Sequence, residues 1–314
     1  MNTQKIYDRI TDLIIEILEN HKKSNFSSAW YNLSNDVLFA QNCVSKHTYN
    51  GVNQLMLQYL RNKYNYDFNS WMTFKQLSAL NGKIKKGSKA AMVVYKSHLY
   101  IDANTGENIT SRILKMINSG ESIENIDYQK RGYLKGYNVF NVSQIENLPE
   151  KFYKIQELEN LTEFEQNEKA ELLIKSTKAK INYIAGNSAS YNPVKDEINL
   201  PKRKQFVSSD AFYNVILHEL GHWTGAKHRL NRDMNGKFES KEYAFEELIA
   251  ELNSAYLNAY LGFESRITNN ADYINSWLSV MRKDKKFVVS AASQAQKASD
   301  FILDFLNVKQ LKTA

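Results

Sequence analysis

The chain has 314 residues, 43% hydrophobic and 24% charged, with 41 Lys/Arg against 34 Asp/Glu and a formal net charge of +7. That length suits two ordinary domains better than one large one, and the composition excludes a disordered chain. The single cysteine, Cys43, excludes an internal disulfide and a cysteine-built zinc cluster, and no run of about 18 apolar residues is present to span a membrane.

Ile6, Ile10, Leu13, Ile14, Ile17 and Leu18 recur at helical spacing with charged residues between them, which predicts an amphipathic surface helix. It lacks the unbroken apolar stretch of a signal peptide. With the lone cysteine, this reads as a cytoplasmic protein. Helices follow at 51–61 and 73–80, the second stopped by Asn81-Gly82. Ala90–Tyr95 reads as a strand entered through the turn at 86–88, and Gly136–Val142 as another. Phe26–Tyr31 is too irregular to assign. Asn147-Leu-Pro-Glu150 ends the pattern, and residues 154–170 turn acidic and helical, so the domain boundary falls near 150. The expected domains are 1–150 and 151–314. In the second, a helix covers 168–179 and a short edge strand fits Glu197–Leu200 between two prolines. Helices then occupy about 210–223, 241–261, 270–282 and 287–307.

Charge is unevenly spread. Residues 46–96 hold nine Lys/Arg and one acid, Asp67, an excess of eight charges that exceeds that of the entire chain. Tyr49, Tyr59, Tyr64, Tyr66, Phe68, Trp71, Phe74 and Tyr95 are interleaved with them. Sequence-tolerant binding of single-stranded DNA needs rings for bases and cations for phosphates, and both are here. The candidate contacts are Lys75, Lys83, Lys85, Lys86 and Lys89, with Tyr49 and Trp71 as stacking rings. The alternative is a solvated charge run whose aromatics are core.

The second half carries His218-Glu219-Leu220-Gly221-His222 on the predicted helix 210–223. A spacing of four puts both imidazoles on one face, one turn apart, so that they can share one tetrahedral ion. Glu219 stands beside them, where it can take a proton from a water in the ion's open position. Ser208-Ser-Asp210 supplies N-caps, and Gly225 a left-handed residue to end the helix. The third ligand is sought in Glu246-Glu-Leu-Ile-Ala-Glu251, which resembles the second-helix motif of gluzincin peptidases. That resemblance implies Glu247 as ligand and Glu251 as the acid that accepts the ring N–H of a ligand histidine, with Glu251 as ligand the alternative. Glu246 is expected to point away into solvent. The ion these parts suit is Zn2+, and the reaction is peptide hydrolysis. Tyr191, Tyr243 and His228 are candidate donors to a developing oxyanion. The strand region 191–201 is a candidate to pair with an extended substrate.

Together the motifs resemble the ArdC-type antirestriction proteins of conjugative plasmids. In the first half the resemblance rests on Tyr49-Asn-Gly51-Val-Asn, Trp71-Met-Thr73-Phe-Lys75-Gln, Gly82-Lys-Ile-Lys-Lys86-Gly87 and Tyr137-Asn-Val-Phe140-Asn-Val-Ser-Gln144. In the second it rests on His218–Gly225, Arg229-Leu-Asn-Arg-Asp233 and Tyr243–Glu251. The resemblance implies an α+β protein: an N-terminal mixed helix–sheet domain that binds single-stranded DNA, then a mainly helical zincin-like metallopeptidase domain with a small sheet. It also implies protection of incoming single-stranded plasmid DNA from restriction. A DNA-activated protease acting on a DNA-associated protein substrate is the second reading, and a pure DNA-binding protein with a structural or vestigial zinc site the third. One departure is Glu239, where the family pattern expects glycine.

Overall fold

The computed structural model describes residues 2–24, 29–31, 39–154, 163–237, 240–263, 265–266 and 270–310. The acidic stretch expected to be helical at 154–170 lies partly outside these residues, as does Glu239.

The chain opens with α1 (Thr3–Lys23), whose N-terminus is capped by the Asn2 side chain and whose last turn carries His21, Lys22 and Lys23 against the negative end of the helix dipole. Strands β1 (Ala29–Tyr31) and β2 (Gln41–Asn42), helix α2 (Val52–Lys63), strand β3 (Ser70–Thr73) and helix α3 (Phe74–Ala79) follow. Thr73 and Gln76 close a reciprocal capping box on α3. Then come β4 (Lys83–Ile84), β5 (Ala91–Asp102), α4 (Thr110–Ser119), β6 (Tyr128–Asn141) and β7 (Ile145–Glu146). The main sheet has the order β2-β3-β6-β5, with β5 and β6 forming one long antiparallel hairpin. These two strands run well past the expected 90–95 and 136–142, because their outer parts are covered on one face only and carry no continuous apolar signal.

The second half contains α5 (Glu163–Thr177), a small sheet of β8 (Lys180–Ile184), β9 (Ser190–Asn192) and β10 (Glu197–Pro201), then α6 (Ser209–Trp223), α7 (Lys241–Leu261), β11 (Ser265–Arg266), α8 (Ala271–Lys283) and α9 (Phe287–Gln310). The sheet order is β8-β10-β9, so Glu197–Leu200 is the central strand and not the expected edge. Both Ile198 and Leu200 are fully buried, and the prolines are compatible with a central strand because Pro201 is its last residue and Pro193 lies in the turn before it. The edges are β8 and β9.

Two large cores result. One lies beneath α6 and joins Ile216, Leu217 and Leu220 to Ile198 and Leu200 of β10 and Ile302 of α9. The other spans both halves: Ile6, Ile10 and Ile14 of α1 pack with Leu248 and Leu252 of α7, Trp277 of α8 and Val288 of α9. The apolar face of α1 is thus buried against the C-terminal helices. Helix α7 is buried almost all round, as a helix at the centre of such packing must be.

Candidate metal centre and the basic face

Helix α6 starts at Ser208, whose hydroxyl accepts from Ala211 N at 3.1 Å. It passes so close to α7 that a Cβ on Gly221 would lie 2.9 Å from Ala250 Cα. Asn253 Nδ2 donates to Leu217 O at 2.8 Å and Ser254 Oγ to Asn214 O at 2.9 Å, which fixes the register of the two helices. The glycine inside the histidine motif is therefore a packing residue. It lets the acids of α7 reach the histidines of α6.

At the crossing, His218 Nε2 and His222 Nε2 are 3.1 Å apart. Glu247 places one carboxylate oxygen 3.5 Å from His218 Nε2 and the other 3.7 Å from His222 Nε2. A tetrahedral ion with bonds of about 2.0–2.1 Å separates its ligand atoms by roughly 3.4 Å, so these three donors fit one such ion. The far ring nitrogens support this. His222 Nδ1 faces Glu246 Oε1 at 3.2 Å and His218 Nδ1 faces Glu251 Oε2 at 3.9 Å. A proton on His222 Nδ1, shared with Glu246, leaves the Nε2 lone pair for a cation, and Glu251 stands on the corresponding side of His218, beyond direct hydrogen-bond reach. Among the described residues, His218, His222 and Glu247 are the group of side chains converging in this way.

Electrostatics follow from the crowding of acids. Burial opposes the charged form of His218, but its hydrogen bond to Glu247 and the charges of Glu219, Glu247 and Glu251 push it up to about 9. Burial raises Glu247, yet His218 and the charge of His222 hold it below the usual carboxylate range. Glu246 behaves likewise, with Arg232 the main opposing partner.

Glu246 departs from expectation. It is buried, not solvated: besides His222, it accepts from Arg232 Nε at 2.9 Å and Nη2 at 2.7 Å. Arg232 also donates to Thr224 Oγ1 and Gly221 O, so it ties the end of α6 to α7. Gly225 does not adopt the left-handed conformation expected of it, and α6 ends at Trp223 with Thr224 still right-handed. A Cβ there would meet Met234 Sδ at 2.5 Å, Arg232 Nη2 at 2.9 Å and the His222 carbonyl oxygen at 3.0 Å, so space favours glycine. Arg232 stands in the Arg229–Asp233 string that marked the family, but nothing in its spacing indicated this role.

The centre opens into a cleft of about 360 Å³ lined by Ser190 and Tyr191 of β9, by His218, Glu219, His222 and Glu247, and by Tyr243 and Tyr273. Of the candidate oxyanion donors, Tyr243 faces this cleft, with its hydroxyl 3.0 Å from that of Tyr273. Burial and the neighbouring Tyr273 and Glu247 raise its pKa above the phenol range. The Tyr191 hydroxyl is committed elsewhere, to Asp196 at 2.8 Å and Arg229 at 3.1 Å. His228 is exposed beside Asp196, outside the cleft lining. Tyr273, on α8, was not anticipated, because no sequence spacing links it to the motif.

The chain is similar to known proteins over nearly its whole length. Residues 168–294 match a family model described as a zincin-like metallopeptidase, and residues 4–140 match the N-terminal domain of anti-restriction factor ArdC. The crystal structure of the antirestriction ArdC protein from plasmid R388 is 31% identical over 95% of this chain and 97% of its own, with a TM-score of 0.72 metal-free and 0.71 for the Mn(II)-bound structure. This chain belongs to the ArdC antirestriction family. A further relative, protein y4eC of Sinorhizobium fredii strain NGR234, is 33% identical over 95% of this chain and 91% of its own. DNA primase TraC of Escherichia coli is 34% identical over 75% of this chain, which corresponds to 16% of the primase.

In the ArdC-type N-terminal half, Lys75, Lys83, Lys85, Lys86 and Lys89 are exposed. Lys85 Nζ donates to Ser143 O at 2.8 Å. The two rings expected to stack are not available. Trp71 is 1% exposed and donates Nε1–H to Asn69, and Tyr49 is packed in the same cluster with Leu57 and Val139. A ring without a free face cannot receive a base. Sequence composition cannot sort core rings from surface rings, and the exposed ones include Phe74, Tyr95 and Tyr137. No helix among the described residues is long and apolar enough to cross a membrane.

Proposed function

We propose that this ArdC-family protein is a cytoplasmic antirestriction factor that binds single-stranded DNA through residues 1–150 and carries a zinc-dependent peptidase site in residues 151–314. The observation that supports the site most is the convergence of His218, His222 and Glu247 at tetrahedral spacing, with the far side of each imidazole facing a carboxylate. Separate family matches to 4–140 and 168–294 support the division into two units.

In this reading His218, His222 and Glu247 hold the ion, Glu246 and Glu251 orient the imidazoles, and Arg232 holds Glu246. When bound, Zn2+ supplies Lewis acidity and lowers the pKa of water towards ~7. Glu219 takes the proton of the attacking water and delivers it to the leaving amine. The edge of β9 receives an extended peptide by strand addition, and the Tyr243–Tyr273 pair donates to the oxyanion. Metal analysis of the purified protein and a peptide-cleavage assay comparing wild type with Glu219→Gln test this. Metal retained with hydrolysis lost supports it. Equal hydrolysis by the variant rejects Glu219 as the base.

A second reading, a protease activated by DNA and acting on DNA-bound proteins, is favoured by the shared core. The start of α2 rests against α9, with Gly51 N donating to Gln296 Oε1 at 3.0 Å, and α1 packs on α8 and α9, which in turn pack against α7, the helix that carries Glu247. A ligand that stiffens the first half would therefore act on the helix bearing a metal ligand. Cleavage that rises on adding single-stranded DNA separates this reading from the first.

A further inference from the structure

The hairpin of β5 and β6 has two unlike faces. Cross-strand partners share a face, as do alternate residues along each strand. One face carries Met92, Gly136, Leu134 and Tyr100, packed against protein between the exposed Lys96 and Lys130: Met92 and Leu134 belong to the core with α1, Ile6 Cδ1 lies 3.6 Å from where a Gly136 Cβ would be, and Tyr100 is 6% exposed. The opposite face begins in the core at Ala91, Val93 and Val139 and then emerges. From there it presents Tyr95, paired with Lys135, then Tyr133, and Leu99 paired with Arg131, with Tyr137 beside Val93.

We infer that this open face, with Tyr95 and Tyr137 as stacking rings and Lys135 and Arg131 as phosphate contacts, is the surface on which single-stranded DNA lies. The inference rests on the DNA-binding reading above and assigns it a place. Tyr95 is 63% exposed and Tyr137 42%, in contrast to the buried Trp71 and Tyr49. The two tyrosines are diagonal neighbours across the ladder, roughly 7–8 Å apart at their backbones, which leaves each ring a separate position. Lys135 Nζ lies 5.2 Å from the Tyr137 ring centroid, so one nucleotide can set its base on the ring and its phosphate on the ammonium. Asp102, at the far end of β5 and on the other face, is the single acid in the two strands, so neither strand sets a carboxylate on the open face. An apolar protein partner would leave Lys135 and Arg131 desolvated and unpaired. A duplex would keep its base faces hidden. The basic stretch read from the sequence stopped at Lys96; the fold lays the cations of 130–135 beside it, through pairing that linear composition does not see.

The test uses the full chain and the fluorescence anisotropy of a labelled mixed-sequence oligodeoxynucleotide, read at several salt concentrations. Replacing both tyrosines (Tyr95→Ala with Tyr137→Ala) should weaken binding by about tenfold or more. The pair Tyr95→Phe with Tyr137→Phe keeps the rings and should retain affinity. Arg131→Gln with Lys135→Gln should lower the log–log salt slope by about 1.4, roughly 0.7 for each phosphate no longer neutralised. These last two pairs leave the fold undisturbed and carry the test if the alanine pair fails to fold. If wild type binds and the alanine and glutamine pairs bind as it does, the surface is wrong while DNA binding stands. If wild type does not bind, the DNA half of the proposed function falls, and this assignment with it.

Discussion

The two halves of the molecule reveal their chemistry in different ways. In the metal centre, function is written as spacing: two histidines four residues apart and an acid on a neighbouring helix converge because helical geometry makes them do so. On the basic face the signal is one of composition, and composition does not say which ring faces out. Trp71 and Phe74 are three residues apart in sequence, yet one is 1% exposed and the other 60%. The part of a centre that lies on one helix is therefore readable to the residue, whereas a surface built by strand pairing is readable only to the region.

The largest effect expected in either half is loss of the metal. His218→Ala with His222→Ala should abolish stoichiometric divalent metal, measured by elemental analysis of the purified protein, since one carboxylate cannot hold the ion alone. Glu247→Ala should do nearly the same. Glu246→Ala and Glu251→Ala should each cost about 10–100-fold in a metal-competition titration, because they act through an imidazole. A variant at Glu251 that loses metal outright while Glu247→Ala retains it would exchange their roles.

This ranking also shows how far the site was legible. His218, Glu219 and His222 could be placed from sequence because a helix is rigid and local. Glu247 came from a resemblance, and its neighbour Glu246 was misjudged, because adjacent helical residues point about 100° apart and either direction is buried on a helix surrounded by protein. Arg232 and Tyr273 reach the centre from a loop and from α8, through tertiary packing that no short-range pattern encodes. For the fold, helices α6 to α9 are legible to within about three residues, whereas α5 begins at Glu163, ahead of the expected 168. The middle strand β10 reads as an edge because order within a sheet is a long-range property. α4 gave no clear signal, since Ile113 is the one fully buried side chain it contributes.

A smaller effect concerns the close crossing of α6 and α7. Gly221→Ala would place a methyl 2.9 Å from Ala250 Cα, against backbone that cannot swing aside. Overpacking of this kind costs about 1–3 kcal/mol. A thermal or denaturant midpoint should fall accordingly, and metal affinity should fall with it as the acids of α7 are pushed from the histidines. An unchanged midpoint would mean that the helices slide apart freely, which would undercut the register argument.

pH offers a further contrast between the halves. His218 in the metal-free protein is raised to about 9 from an ordinary 6.5. The folded state therefore holds the proton more tightly than the unfolded chain. Its contribution to stability is complete below about pH 6.5 and is lost as pH rises through 9. At ~1.4 kcal/mol for each tenfold gain in proton affinity, the loss is at most about 3–4 kcal/mol, read as a fall in urea midpoint between pH 6 and 10. Saturating metal should remove this dependence, because the ion occupies the site of the proton. A dependence that persists with metal bound would place its origin elsewhere.

The smallest expected effect lies on the basic face, in the turn between β4 and β5. Lys83, Lys85, Lys86 and Lys89 are exposed, and Gly87 between them takes a positive φ of 85° that lets the chain reverse tightly. Lys85 is already bonded to Ser143 O, so its loss has a structural component that the other three lack. If the turn guides DNA onto the sheet, alanine at all four positions should weaken binding of the full chain and flatten the salt dependence by roughly 0.7 for each phosphate the turn had neutralised. On the stacking assignment, a preference for single strand over duplex should survive, because rings and not lysines would supply it. The measurement is anisotropy against both forms of one oligonucleotide. Unchanged slope with unchanged preference would reduce the turn to a solvated loop and leave recognition to the sheet alone. Loss of the single-strand preference would assign to these lysines a discrimination that point charges do not supply, and the division between charge on the turn and stacking on the sheet would have to be abandoned.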